Sequence, residues 1–486
     1  MRIPPLIPIL LLLLMAPAAQ KLAAQLKDPL AAATGKQLAL MEKKDYFSGA
    51  VLIAKNGRII FNKAYGYANL AASIRNKPDT RFNLASMNKM FTGMAVMQLV
   101  QAGRLSPDAT VGQYLPDYPN RSVADSVTIH QLLTHTSGMG NFWEEHAKLA
   151  KEKFKTVDDY LALFISKPLL FKPGSRYAYS NSGYILLGKI IEQVSGQTWF
   201  DYVKEHIFLP AKMNDTDALE LDDALPRVAT GYTMSREHPG RWKNNIYTNV
   251  IKGGPAGGSY STTADLFRFA DAVLTYKLLS TENTALYISG KVKYDRGSYA
   301  YGMSTDTLNG HVVFGHTGGH FGIANELMIC PDAGYVVVIL TNGEVENYWE
   351  ISNFIKRELF GSTPAIDQYF FTRQVINTTI ARGMEAGLQK VSKSNGQLAA
   401  RESVIERWAF RQLFDKKDLH ALDLFRLNRK LFPGSASALY NLGEGYRLCG
   451  DLEQAIAVFR EYLSQEPDDE EVREKTGSLE KQLINR

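Results

Sequence analysis

The spacing of apolar positions changes several times along this chain, and the changes divide it. Phe47–Lys55 and Arg58–Tyr67 are apolar stretches on either side of Asn56–Gly57. Asn-Gly there predicts a tight hairpin, because a type I′ turn needs positive φ at both central residues. Residues 21–45 before it read as a polar-leaning helix. Phe82–Leu105 (FNLASMNKMFTGMAVMQLVQAGRL) reads as a short entry and then one largely apolar helix from about residue 86. Residues 105–245 are mostly helices and loops. Helices are expected at Thr128–Leu133 after an Asp125–Ser126 cap, at Val157–Ile165, at Gly183–Ser195 stopped by Gly196, and at Trp199–Ile207. Thr263 is placed to cap a helix over Asp265–Leu274. Strand patterns return at Val312–Gly315, Phe321–Ile329 and Tyr335–Leu340, with a turn at Pro331–Gly334, and Trp349–Phe360 reads as a helix. Strands at both ends with helices between them close most simply into one antiparallel sheet.

Behind this unit the pattern breaks. Residues 361–400 read as a boundary region with one helix over about Phe371–Leu388. Beyond it Ala421, Phe425 and Pro433 recur as Ala455, Phe459 and Pro467, a period of 34. With Leu442, Gly443, Tyr446 and Gly450 in the second copy, this is similar to tetratricopeptide repeats. Two repeats are expected, at about 402–435 and 436–469, with a closing helix to Arg486.

Composition narrows the class. The chain has 486 residues, 45% of them hydrophobic, which is too long for one ordinary domain and enough for a normal core. A formal charge of +5, with no basic stripe interleaved with aromatics, argues against nucleic acid as a partner. Arg2, an apolar run from Leu6 to Met15 and small residues at Ala16–Ala18 have the form of a secretory signal peptide over residues 1–19. A periplasmic or secreted protein is therefore expected, with no stable membrane span after signal removal. Cys330 and Cys449 fall in different domains, so two free buried thiols are expected rather than a disulfide.

Three motifs carry candidate chemistry. Ser86 and Lys89 are three residues apart near a helix start, on one face. A lysine under an apolar roof, here Leu84, Met87, Met90 and Phe91, loses its charge and can take a serine proton. Tyr179–Ser180–Asn181 precedes a helix; a phenol of lowered pKa can carry protons, and an asparagine can orient the lysine or donate to a substrate carbonyl. His316–Thr317–Gly318–Gly319 lies between two candidate strands. Its glycines admit a substrate close to the backbone, His316 and Thr317 can bind a leaving group or carboxylate, and a strand N–H can face an oxyanion opposite that of Ser86. His130 and His135 read as structural. His311, His316 and His320 have no acidic or thiol companions at metal spacing, so no metal and no cofactor is expected.

Taken in order, Ser86-x-x-Lys89, Tyr179-x-Asn181 and His316-Thr317-Gly318, with TIHQLLTHTSGM, FKPGSRYAYSNSGY and PAGGSYSTTADL around them, resemble the serine β-lactamase and penicillin-binding protein superfamily. The likeness covers about 40–360 and is greatest to the branch of class C β-lactamases, D-aminopeptidases, D,D-carboxypeptidases and esterases. It implies an α/β (α+β) domain over 20–360, an antiparallel sheet flanked by helices with a helical subdomain at about 105–245. An all-α repeat domain follows at 401–486, after the 361–400 region. It further implies a Ser86 acyl-enzyme, Lys89 as general base, Tyr179 as proton shuttle, and Asn181 contacting substrate or orienting Lys89. The oxyanion hole would use the N–H of Ser86 and of Gly319 or His320. The departure is His316 where penicillin-binding proteins carry lysine; an uncharged imidazole weakens recognition of a free carboxylate. The expected function is hydrolysis of amides, D-amino-acid peptides or small esters. β-Lactamase or D,D-carboxypeptidase activity is one alternative and a non-catalytic binding protein another. The expected partners are a small molecule or short peptide at the cleft, and a protein or a second copy at the repeats.

Overall fold

The computed structural model describes residues 28–295 and 297–485. The signal peptide expected over residues 1–19 lies outside them. Two compact units emerge: one takes the described residues to Tyr232 and Asn244–Phe360, the other Thr233–Lys243 and the chain from Gly361.

The first unit is built on an eight-stranded antiparallel sheet. Helix α1 (Pro29–Asp45) precedes the hairpin of β1 (Gly49–Lys55) and β2 (Arg58–Tyr65), turned at Asn56 (φ 48°) and Gly57 (φ 73°). The helix α2 (Asn88–Gln101) follows, then α3 (Asn181–Ser195) and α4 (Thr263–Leu274). Six strands close the sheet: β3 (Val292–Tyr294), β4 (Gly297–Tyr299), β5 (Ser304–Leu308), β6 (His311–His320), β7 (Ile323–Cys330) and β8 (Tyr335–Thr341). Helix α5 (Val345–Phe360) ends the unit. The order across the sheet is β2-β1-β8-β7-β6-β5-β4-β3. Thus the first hairpin joins the last strand, β1 pairing with β8 from Gly49–Thr341 to Lys55–Tyr335.

Both faces of the sheet centre are covered, so β1 (GAVLIAK) is buried at nearly every position. Ala50, Leu52 and Ala54 face the larger core with α2; Val51 and Ile53 face α1 and α5. The three strands β3–β5 at one end of the sheet are not legible in the apolar pattern. They are short, polar and half-exposed (VKY, GSY, STDTL), so no alternation marks them.

Local chemistry moves several boundaries. Asp125 and Ser126 belong to a helix at Arg121–Ser126, and Thr128 caps the next, its Oγ1 accepting from Gln131 N at 3.2 Å. Thr262 rather than Thr263 caps α4, accepting from Asp265 N at 3.1 Å. The helix expected over Val157–Ile165 stops at Leu161, and that at Trp199 ends at Val203 and continues as a wider turn over Lys204–Phe208.

In the second unit the one helix expected over Phe371–Leu388 is two, α6 (Pro364–Arg382) and α7 (Met384–Ser392). Gly383, at φ 83°, separates them. Five helices follow: α8 (Glu402–Phe414), α9 (Asp418–Leu431), α10 (Ala436–Leu448), α11 (Leu452–Gln465) and α12 (Glu470–Ile484). The repeating Ala421, Phe425, Ala455 and Phe459 are fully buried. Glycine is required where helices meet: a Cβ at Gly443 would stand 2.6 Å from the Phe459 ring, and one at Gly445 2.5 Å from Phe425. Both cysteines are free; Cys330 is buried as expected, but Cys449 is only half-buried. Among the described residues no helix is long and apolar enough to cross a membrane.

Candidate active site

The turn carrying Ser86 is held from two sides. Asn83 Oδ1 accepts from Ala85 N at 2.8 Å, and Leu84 N donates to Ser259 O at 2.7 Å. Ala85 sits at φ 45°, a left-handed conformation that costs an alanine about 1–3 kcal/mol. The surroundings impose it. Gly258 N donates to Ala85 O at 3.1 Å, and Gly257 packs so closely that a Cβ would lie 2.8 Å from that oxygen. Ser86 therefore stands on a fixed short turn, Ala85–Met87, at the mouth of α2.

Three polar residues of α2 bind three successive carbonyls of the same strap. Asn88 Nδ2 donates to Gly254 O at 2.8 Å, Thr92 Oγ1 to Pro255 O at 2.8 Å, and Lys89 Nζ to Ala256 O at 2.5 Å. In the sequence, the polar residues at 88, 89 and 92 on the helix are the only trace of this strap.

Lys89 is fully buried, and burial holds its amine well below the ordinary lysine range. Besides Ala256 O it donates to Asn181 Oδ1 at 2.8 Å, and it lies 3.4 Å from Ser86 Oγ. An uncharged amine has two N–H groups and one lone pair. The two carbonyl oxygens take the N–H groups, so the lone pair is left for the Ser86 hydroxyl to donate to. Asn181 is itself oriented, its Nδ2 and backbone N both donating to Asn141 Oδ1, at 2.9 and 2.8 Å.

Tyr179 is hydrogen-bonded to Ser86, and Lys89 Nζ lies 4.8 Å from its ring centre. Burial pushes the phenol above its ordinary pKa, outweighing the Ser86 hydrogen bond. A lowered value was expected; the apolar surroundings reverse it, and the phenol keeps its proton at neutral pH. His135 fixes this tyrosine. Its carbonyl accepts from Ala178 N at 2.9 Å, its Nδ1 accepts from Ser180 N at 3.1 Å, and its ring lies 4.2 Å from that of Tyr179. The residues on both sides of Tyr179 are thus tied to one histidine, one through its backbone carbonyl and one through its ring, and burial holds that imidazole well below its ordinary pKa.

Ser86 and Asn181 open onto a cavity of about 530 Å³, together with Gly319 and His320. His316, Thr317 and Gly318 do not line it. His316 is buried, with Nδ1 donating to Thr317 O at 2.5 Å and Nε2 accepting from Tyr299 OH at 2.8 Å, so both ring nitrogens are occupied. Burial lowers its pKa to about 3. His316 and Thr317 border instead a second cavity, with Glu326 and Tyr348. The two glycines divide their tasks. A Cβ at Gly318 would lie 2.1 Å from Leu84 O, so Gly318 lets β6 approach the Ser86 turn. A Cβ at Gly319 would meet nothing within 4 Å, so a side chain has room there. His320 donates from Nε2 to Thr248 O at 2.8 Å and stacks on Trp143.

One expectation about metal spacing is corrected. His311 does have an acidic and a thiol companion: strand pairing brings Cys330 and Asp332 beside it, with donor atoms within 4.8 Å of one another. Asp332 accepts from His311 Nδ1 at 2.9 Å and from Cys330 Sγ at 3.0 Å, which closes the cluster by hydrogen bonds.

Residues 36–355 match the Beta-lactamase family model and 436–479 match the Tetratricopeptide repeat model. The chain is 29% identical over 331 residues to Penicillin-binding protein 4* of Bacillus subtilis, covering 63% of this chain and 71% of that protein. It is likewise 29% identical over 310 residues to protein flp of Staphylococcus aureus, covering 62% of this chain and 60% of that one. A penicillin-binding protein of Bacillus halodurans of known structure shares the fold at a TM-score of 0.61 and 32% identity, over 66% of this chain and 98% of that chain. With the fold, the family match and the repeats in agreement, the chain belongs to the serine β-lactamase and penicillin-binding protein superfamily and carries a tetratricopeptide-repeat region at its C-terminal end.

Proposed function

We propose that the protein is a serine hydrolase that forms an acyl-enzyme on Ser86. The observation that carries this reading is the fully buried Lys89, whose amine burial holds well below the ordinary lysine range and which donates to Asn181 and Ala256 while Ser86 Oγ lies 3.4 Å away. In acylation the Ser86 oxygen bonds to the substrate carbonyl carbon and its proton passes to Lys89. The bond to the leaving nitrogen or oxygen then breaks, and that atom takes the Tyr179 proton, which Lys89 replaces. Water releases the acyl group by the reverse path. A raised phenol pKa suits this acid role. We assign the developing oxyanion to the N–H groups of Ser86 and of Gly319 or His320, all three of which line the cavity.

The substrate class we infer is a small amide, peptide or ester. We rank lactamase and carboxypeptidase activity second because His316, buried and held by Tyr299, is not available to bind a β-lactam or peptide carboxylate. The repeats supply a surface for a protein partner or a second copy. A fluorophosphonate probe and p-nitrophenyl esters test the reading. The wild type is expected to form one adduct and turn over; Ser86→Ala is expected to lose both. An unlabelled wild type with no turnover of esters or D-amino-acid amides overturns it.

A further inference from the structure

The walls of the cavity around Ser86 are uneven in their chemistry. Phe142, Trp143, Tyr160, Ile185 and Val250 form an apolar side, with Phe142 4.7 Å from Trp143 and 5.2 Å from Tyr160 between ring centres. Among the described residues no carboxylate lines the cavity. Its one charged wall residue, Lys252, is a cation, and Glu220 holds its Nζ at 3.0 Å. An ammonium group brought here would be desolvated with no counter-charge. The second observation is a single atom. Tyr160 is 5% exposed and lines the cavity, yet its hydroxyl has no hydrogen-bond partner among the described residues. A buried hydroxyl left unpaired is costly, and a ligand acceptor would satisfy it.

We infer that this wall is an acyl pocket for neutral, aromatic or apolar acyl groups carrying a hydrogen-bond acceptor, with Tyr160 donating to that acceptor, and that it selects against acyl groups with a free α-ammonium. The inference rests on the Ser86 reading for its catalytic meaning and names the substrate class of that site: uncharged arylalkanoyl esters and amides, ahead of free D-amino-acid amides. The selectivity comes from absence of a counter-ion at one end and presence of an unpaired donor at the other, which together penalise the wrong ligand and reward the right one.

Binding to the Ser86→Ala variant, measured by calorimetry, reads the walls without any reaction. The 3-phenylpropionamide and D-phenylalanine amide differ in the α-ammonium alone, and the first is expected to bind roughly ten-fold tighter or more. A 4-acetyl substituent on the phenylpropionamide is expected to tighten binding further. Adding Tyr160→Phe is expected to remove that gain, about five-fold, while leaving the unsubstituted amide unchanged. Because the hydroxyl has no partner to lose, Tyr160→Phe is expected to keep or raise Tm. Equal or tighter binding of D-phenylalanine amide overturns the proposal, as does an acetyl gain that survives Tyr160→Phe. Selective binding to Ser86→Ala with no probe adduct on the wild type would support the pocket and sink the catalytic reading, so the two fail separately.

Discussion

Helix α2 and the helix pair α10–α11 are both tightly packed, but different contacts hold them. Around the repeat pair the contacts are shape: Gly443 packs against Phe459 and Gly445 against Phe425 of α9, with Ala421 of α9 and Ala455 of α11 buried beside them. In α2 they are directed bonds: Asn88, Lys89 and Thr92 reach the carbonyls of Gly254, Pro255 and Ala256. A core held by shape can slide and relax with little consequence for anything else. A core held by hydrogen bonds from buried polar groups fixes angles as well as distances, and Ser86 stands at its end. The same bonds keep an uncharged amine beside a serine, which apolar packing alone would not do.

Lys89→Met should sharpen this contrast most. Acylation of Ser86 by the fluorophosphonate probe is expected to slow about 10²–10⁴-fold, the range for loss of a positioned base. Stability should change far less, because methionine fills the space and only the Asn181 and Ala256 oxygens lose a donor. A Lys89→Met enzyme that labels at the wild-type rate would break the comparison. In the repeats the effects should be exchanged. Phe459→Ala removes a fully buried ring and should destabilise the C-terminal unit by about 3–5 kcal/mol in chemical denaturation, with turnover per folded molecule unchanged.

A smaller effect separates the two glycines of β6. Gly318→Ala places a methyl 2.1 Å from Leu84 O and should push the strand from the Ser86 turn, lowering both Tm and labelling rate. Gly319→Ala has free space and should leave Tm within about 2 °C, a surface-like change. Equal Tm losses for the two would remove the assigned division of tasks.

The pH dependence follows from the same buried groups. Burial lowers Lys89, so as pH falls through its folded-state pKa the amine takes a proton and the labelling rate should fall. Its effect on stability has the sign of a depressed base. Between that folded value and the unfolded value near 10.5 the unfolded chain binds the extra proton, so stability rises with pH across this window. Lys89→Met should flatten that slope. His316 acts lower on the scale: the unfolded imidazole protonates below 6.5 and the folded one only near 3, so stability should drop as pH falls between these values. A Tm that does not change from pH 6.5 to 4 would place His316 in contact with solvent.

Reading the sequence went far where a motif is local. Ser86 and Lys89 lie three residues apart, so their meeting needs only the short turn Ala85–Met87 to run on into α2. Asn56–Gly57 demanded its turn by itself, and the 34-residue period announced the repeats. It failed where neighbours arrive from elsewhere. His316 looked like a substrate ligand by position in its triplet, but Tyr299, on the short strand β4 that left no pattern, occupies it. His135 looked structural and is, yet what it structures is Tyr179, 44 positions away. His311 seemed to lack companions because Cys330 and Asp332 come to it through the pairing of β6 with β7.

By itself the sequence determined the elements with strong local signatures, the order of the three motifs and the presence of repeats. These depend on backbone preference and on the period of apolar residues, both written in consecutive positions. Tertiary structure alone decided the charge state of Lys89, the raised phenol of Tyr179 and the chemistry of the wall facing Ser86. Each is set by which atoms displace water from a group, and those atoms come from segments up to 167 residues distant. Desolvation is a property of the assembled surroundings, so no local pattern can carry it.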